Sequence, residues 1–144
     1  MIILDMNVLS ELMKPAPSSH VVRWISGQLT NDLHTTSITQ AEILHRIMLL
    51  PAGKRRSAFA MAADAMFSQD LGGRIHAFDS DAARLYAHIA AERQRAGRPI
   101  SQSDAQIAAI ARRAGAPIAT RNVADYTQCG VEVINPWNHA DANE

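Results

Sequence analysis

The sequence predicts an α/β protein built on a mainly parallel sheet. Short apolar runs of three to six residues alternate with longer stretches of helical periodicity, and most are bounded by Gly, Pro, Ser, Asp or Asn. At 144 residues the chain has room for one domain with one substantial core.

Taken in order, Ile2-Ile3-Leu4 is too short for a helix and opens onto Asp5, so it is read as a buried strand. A helix follows over Asn7 to Met13, stopped by Pro15 and Pro17. Ser18 or Ser19 can cap a second helix carrying Val21, Val22, Trp24, Ile25 and Leu29. Leu33 to Ile38 is rich in β-branched residues and reads as strand two. Thr39 is then an N-cap with Glu42 three residues on, the pattern of a capping box ahead of Ile43, Leu44, Ile47 and Met48.

A further helix covers Lys54 to Gln69 before Gly72-Gly73, and Ile75 to Phe78 is strand three. Asp79 or Ser80 caps an Ala-rich helix through Arg95, closed by Gly97 with Pro99 beyond. Ser101 or Ser103 starts the next helix, through Ala114 and Gly115. Pro117 to Thr120 is strand four and Val131 to Ile134 strand five. No internal repeat, linker or low-complexity tract interrupts this order. Residues 1–137 are read as a single domain and residues 138–144 as a frayed tail.

The composition is that of a globular protein: 47% apolar, 19% charged, and few Gly or Pro. No apolar stretch approaches the roughly 20 residues that span a bilayer. The start reaches an acid at residue 5 with no basic leader, unlike a signal peptide. The single Cys129 excludes an internal disulfide framework and reads as a small buried apolar filler. A cytoplasmic protein is expected. Net charge is zero, but Lys54-Arg55-Arg56, Arg93, Arg95, Arg98 and Arg112-Arg113 form basic clusters. They serve either a polyanion or solvated helix faces.

The acids fall where the strands end. Asp5 leaves strand one, Glu42 follows strand two, Asp104 opens the helix before strand four, and Arg121-Asn122 follows that strand. In open parallel sheets, ligands gather at such carboxyl ends. Hard cations such as Mg²⁺ and Mn²⁺ take oxygen ligands and can activate water for attack on phosphorus. Without a cation, neighbouring carboxylates repel and at least one pKa rises. Taken singly, Glu42 also fits a capping role, and Asp104 a helix-dipole role.

Four blocks carry a resemblance: MIILDMNVLSEL, TTSITQAEILHRI, ISQSDAQIAAIARRAGAPIATRNVADY and VINPW. Together, in this order and spacing from residue 1 to about residue 137, they resemble the PIN-domain ribonuclease toxins of VapC type, nearest the FitB-like branch. The resemblance implies a three-layer α/β/α fold around a five-stranded parallel sheet of order 3-2-1-4-5. It implies an endoribonuclease toxin of a type II toxin–antitoxin system that hydrolyses RNA phosphodiesters with Mg²⁺ or Mn²⁺, transfer RNA being the favoured substrate. It further implies a homodimer or toxin–antitoxin hetero-oligomer, and a cognate antitoxin with a DNA-binding domain.

The same resemblance maps the family's acidic positions onto Asp5, Glu42 and Asp104, and its fourth position onto Asn122. Asp5 and Asp104 are expected to bind the principal metal, Glu42 to hold a second metal or orient water, and Asn122 to complete the site. Asp125 assists or anchors the next loop. Arg121 contacts phosphate or forms a salt bridge within its loop. Asn7 and Ser10 support Asp5 or cap the first helix. Relatives usually carry Thr or Ser after the first acid, and this chain has Met6, which cannot serve a hard cation. Met6 keeps an alternative alive: a catalytically weakened PIN-fold protein acting mainly with its antitoxin as a DNA-bound repressor.

Other classes fit less well. A phospho-acceptor receiver domain needs an acidic pair by the first strand and a late lysine, yet the lysines are Lys14 and Lys54. An aspartyl-nucleophile phosphatase wants an acid two residues after the first, where Asn7 stands. No Gly-rich phosphate loop is present. Glu42 and His45 form a single Glu-x-x-His, where di-iron bundles need two. His20, His34, His76 and His88 lack metal-ligand spacing. Trp24, Met48, Met61 and Met66 read as core, with a dimer face or antitoxin groove as the other use. Trp137 is expected to pack the chain end onto the domain.

Overall fold

Strand β1 (Ile2–Leu4) lies in the middle of a five-stranded sheet, between β2 (Leu33–Thr36) and β4 (Ile118–Ala119). The structure is a computed structural model and describes residues 1–138. β3 (Ile75–His76) and β5 (Val133–Ile134) complete the order 3-2-1-4-5, with every pairing parallel. Six α-helices flank the sheet among the described residues: α1 (Met6–Leu12), α2 (Ser19–Ser26), α3 (Ser37–Met48), α4 (Lys54–Ala65), α5 (Ser80–Arg95) and α6 (Gln102–Ala114).

Strand parity divides the core. Ile3 and Leu4 are both buried, yet successive side chains of a strand point to opposite faces, so each joins a different apolar cluster. Ile118 and Ala119 repeat this division on β4. One cluster gathers Ile89, Ile107 and Ile110 with Ala105, Ala108, Ala109 and Ala111, whose short side chains let α5 and α6 pack closely. The other gathers Val8, Leu9, Val21, Trp24, Ile43 and Ile47 from α1 to α3, with Ala63 of α4 and with Met66 and Phe67 just beyond it. Two helical layers thus enclose the sheet. Among the described residues no helix is long and apolar enough to cross a membrane.

Several local expectations are corrected. β2 stops at Thr36 rather than Ile38, because the chain turns directly into α3 there. Thr36 is the N-cap, its hydroxyl accepting from the Thr39 N–H at 3.0 Å. Thr39 is therefore inside the helix, the capping box does not form, and Glu42 stands in the second turn. Ser18 occupies the N-cap of α2 without a side-chain capping bond. Helix α4 ends at Ala65 and widens into a π-turn over Met66–Asp70. A Cβ on Gly72 would meet the Ser68 carbonyl oxygen at 2.5 Å, so the turn closes only over glycine.

Trp24 and Met66 are buried as expected, but Met48 and Met61 are 62% and 74% exposed and do not belong to the core. Cys129 is buried in the α5–α6 cluster. Arg93 is not a surface cation: it is buried and donates to the carbonyls of Arg98, Asp125 and Thr127. Of the tail, Asn138 closes a 3₁₀ turn after Pro136, and the expected fraying beyond it falls outside the described residues.

Candidate active site

Strand register brings the first two site residues together. Ile3 pairs with Ile118 and Leu4 with Ala119, so the next step places Asp5 beside Thr120. The Asp5 N–H donates to the Ala119 carbonyl at 3.0 Å, and the Thr120 hydroxyl donates to Oδ2 of Asp5 at 2.9 Å. That hydroxyl accepts in turn from the Asn7 side-chain amide at 3.0 Å and the Asn122 N–H at 3.1 Å, which satisfies all of its hydrogen-bonding capacity. Asn7 therefore supports Asp5 through Thr120 rather than directly. Ser10 lines a neighbouring cavity instead. Met6 contributes its backbone, whose N–H donates to Oδ1 of Asp5 at 2.8 Å.

Asp104 reaches the same point from α6. Ser101 caps that helix by accepting from the Asp104 N–H at 3.2 Å, which fixes Asp104 in the first turn. The hydroxyl of Tyr126, in the 3₁₀ turn Val123–Tyr126, lies 3.1 Å from Oδ2 of Asp5 and 3.3 Å from Oδ1 of Asp104. The two carboxylates thus lie within reach of one phenol oxygen. Burial and both carboxylates push the Tyr126 pKa strongly upward, so the phenol keeps its proton. One proton serves one acceptor at a time, and a cation between the carboxylates would relieve the other.

Glu42 stands half-buried on α3, and its Oε1 is buried with no hydrogen-bond partner among the described residues. Burial, then the charges of Asp5 and Asp104, raise its pKa above the ordinary 4.5. Asp5 and Asp104 are also raised above 3.8, chiefly by burial, and the charge of Asp125 adds to both. An orphaned carboxylate oxygen within electrostatic range of two more carboxylates is an oxygen-only donor set, the chemistry that suits a hard divalent cation. Among the described residues no three His, Cys, Asp or Glu side chains stand close enough together to hold a metal ion by themselves. Mg²⁺ characteristically binds through one or two carboxylates and completes its shell with water and substrate phosphate.

The remaining candidates lie around this centre. Asn122 brings its backbone N–H to Thr120, with its side chain exposed. Among the described residues Arg121 makes no salt bridge within its loop; its guanidinium stacks over the Trp137 ring at 5.1 Å. Asp125 anchors through its backbone, accepting from Arg93 at 2.9 Å. His45 is exposed on α3. Sequence reading overlooked Thr120 and Tyr126. Thr120 was legible in principle, because pairing β1 with β4 sets it opposite Asp5. Tyr126 left no local signal, since its partners are 121 and 22 residues away.

Carboxylates from the end of β1 and the start of α6, gathered beside β4 on a sheet of order 3-2-1-4-5, define an α/β protein with an acidic site where open parallel sheets take their ligands. The chain belongs to the PIN domain family, whose profile matches residues 2–124. It is 39% identical to the VapC ribonuclease Y4jK of Sinorhizobium fredii, across 97% of this chain and all of the relative. It is 33% identical to the toxin FitB of Neisseria gonorrhoeae, across 96% of this chain and 99% of that one. A solved structure of FitAB bound to a DNA fragment superposes with a TM-score of 0.87 at 32% identity, covering 99% of both chains.

Proposed function

We propose that this chain is the toxin of a type II toxin–antitoxin system, acting as a Mg²⁺- or Mn²⁺-dependent endoribonuclease, with transfer RNA the expected substrate class. The observation that carries the reading is the convergence of Asp5 and Asp104 on one hydroxyl, with the unpartnered Glu42 carboxylate within range of both their charges. Asp5 and Asp104 would hold the principal ion. Glu42 would hold a second or orient water, and the Asn122 side chain would lend a neutral oxygen. A bound divalent ion supplies charge neutralisation at the phosphate and lowers the pKa of water.

The chain's own residues supply the positioning. Thr120 and the Met6 N–H fix the two oxygens of Asp5, and Ser101 fixes the helix end that carries Asp104. Tyr126, itself buried, holds its proton between them. Asp125 adds negative charge at the rim.

The partners proposed are RNA and a cognate antitoxin with a DNA-binding domain, in a homodimer or hetero-oligomer; the DNA-bound FitAB structure supports the latter. The rival reading, a weakened enzyme serving mainly as a repressor, rests on Met6. Against it, Asp5 is already held by three donors without a hydroxyl at position 6. Purified chain should cleave RNA with Mn²⁺ and not with EDTA. Asp5→Asn and Asp104→Asn should each drop cleavage below about 1% of the wild-type rate, more than the 10–100-fold typical of losing a supporting partner. Cleavage that survives in both variants removes the nuclease assignment.

A further inference from the structure

Beside the carboxylates lies a second feature, a cavity of about 200 Å³ bounded by α1, α3 and the turn after β4. A water occupies about 30 Å³ of liquid, so this space admits a group the size of a phosphate. Its lining includes Lys14, Arg46 and Arg121 against a single carboxylate, Glu11, and its far wall is Trp137. Glu11 is already satisfied, accepting from Lys14 at 3.0 Å and from the Ser18 N–H at 2.9 Å. Among the described residues neither Arg46 nor Arg121 has a carboxylate oxygen within 4 Å. Among the described residues, then, the cavity holds two cations with no carboxylate in direct contact, although the charge of Arg121 reaches Glu11 and that of Arg46 reaches Glu42.

These cations are placed, not scattered. Arg121 stacks its face on Trp137 at 5.1 Å, which leaves the in-plane N–H groups of the guanidinium as donors. Its backbone N–H donates to Asn7 at 3.0 Å, and Asn7 reaches Asp5 through Thr120. Arg46 stands one helical turn beyond Glu42 on the same face of α3, close enough for its charge to act on that carboxylate. One chain of hydrogen bonds, from Arg121 through Asn7 and Thr120 to Asp5, and one charge interaction, between Arg46 and Glu42, thus join the cavity to the carboxylate site.

A ligand that brings a phosphate to the carboxylates and also fills this cavity must carry a second anionic group along the same strand. We infer that the Lys14–Arg46–Arg121 cavity receives the RNA phosphate adjacent to the one that is cleaved, so that the chain grips two consecutive phosphates of a polynucleotide. This rests on the nuclease reading and adds a substrate requirement to it: single nucleotides and dinucleotides bind weakly, and affinity falls with salt.

The test compares wild type with Arg46→Ala/Arg121→Ala by anisotropy of a labelled 12-nucleotide single-stranded RNA in EDTA, over a series of salt concentrations. Affinity should fall about tenfold or more at low salt, the loss expected from two charge-assisted contacts. The slope of log affinity against log salt should become shallower by about 0.7, the value for one phosphate on a single strand. Arg121→Lys, which keeps the charge but not the stacked plane, should retain the slope while losing affinity. With Mn²⁺ present, excess RNA should recover much of the cleavage lost in the double variant. An unchanged slope and affinity in a double variant that still folds by circular dichroism overturns the inference. Loss of antitoxin binding with RNA binding intact also overturns it and makes the cavity a protein site. If wild type cleaves RNA while the variant comparison fails, the nuclease reading survives alone; if wild type neither binds nor cleaves RNA, both fall.

Discussion

The phenol oxygen of Tyr126 lies 3.3 Å from Oδ1 of Asp104, with Oδ2 of Asp5 at 3.1 Å on its other side. The 3₁₀ turn that carries Tyr126 thereby ties the end of β1 to the start of α6. Removing the hydroxyl should loosen both carboxylates without opening the core, because the ring stays buried. Tyr126→Phe is expected to weaken Mn²⁺ binding about tenfold or more, within the 10–100-fold range of supporting contacts. Titration calorimetry reads this without any cleavage step, and wild-type affinity in the variant would reject the role.

Thr120→Val keeps the shape and removes the hydroxyl. It strips one donor from Asp5 and leaves the Asn122 N–H and the Asn7 amide without their acceptor. The expected destabilisation is about 1–3 kcal/mol, since buried polar groups lose a partner. Thr120→Ser should restore most of it, and urea unfolding of the three proteins decides.

Metal-free stability should depend on pH with a definite sign. Asp5, Asp104 and Glu42 have raised pKa values when folded, so above the ordinary 3.8 and 4.5 the folded chain binds more protons than the unfolded one. Their contribution to stability is then full at low pH and is lost as pH rises through the raised values. Asp104→Asn and Glu42→Gln remove one such burden each. In EDTA each variant should overtake wild type as pH climbs from 4 to 8, by less than about 1 kcal/mol because both sites are partly exposed. Mn²⁺ should stabilise wild type more than either variant, by mass action. Thermal melts at stepped pH, with and without Mn²⁺, test both statements.

Arg93 acts as a strut under the site. Its guanidinium holds the carbonyls of Asp125 and Thr127, on either side of Tyr126, and that of Arg98. Arg93→Met should cost about 1–3 kcal/mol, as three partly buried carbonyls lose a charged donor. It should also lower metal affinity by releasing the turn that carries Tyr126. Lys at this position should recover little, since an ammonium cannot span three acceptors as the planar fork does.

Much of the architecture was legible because it rests on local or periodic signals. Ile2 to Leu4 announces a strand by being too short for a helix, and Gly115 ends α6 with φ at 65°, the left-handed cap expected of glycine. Ser101 and Asp79 cap their helices where the pattern placed them, their side chains accepting from Asp104 and Ala82. Thr39 misled because Thr36, an equally good cap, lies one turn earlier, and only the end of β2 decides between them. Met48 and Met61 misled because helical spacing states that residues share a face, not that the face is covered.

The alternation of strands and helices, and the placing of Asp5, Glu42 and Asp104 near element ends, follow from the amino-acid order alone. Those depend on propensities and spacings within a few residues. Only the tertiary structure decided that Thr120 and Tyr126 clasp Asp5, that Arg93 is a buried strut, and that Arg121 leans on Trp137. Most of these contacts bring together residues tens to more than a hundred positions apart. Their energy comes from geometry set by strand pairing and helix packing, which no local pattern encodes.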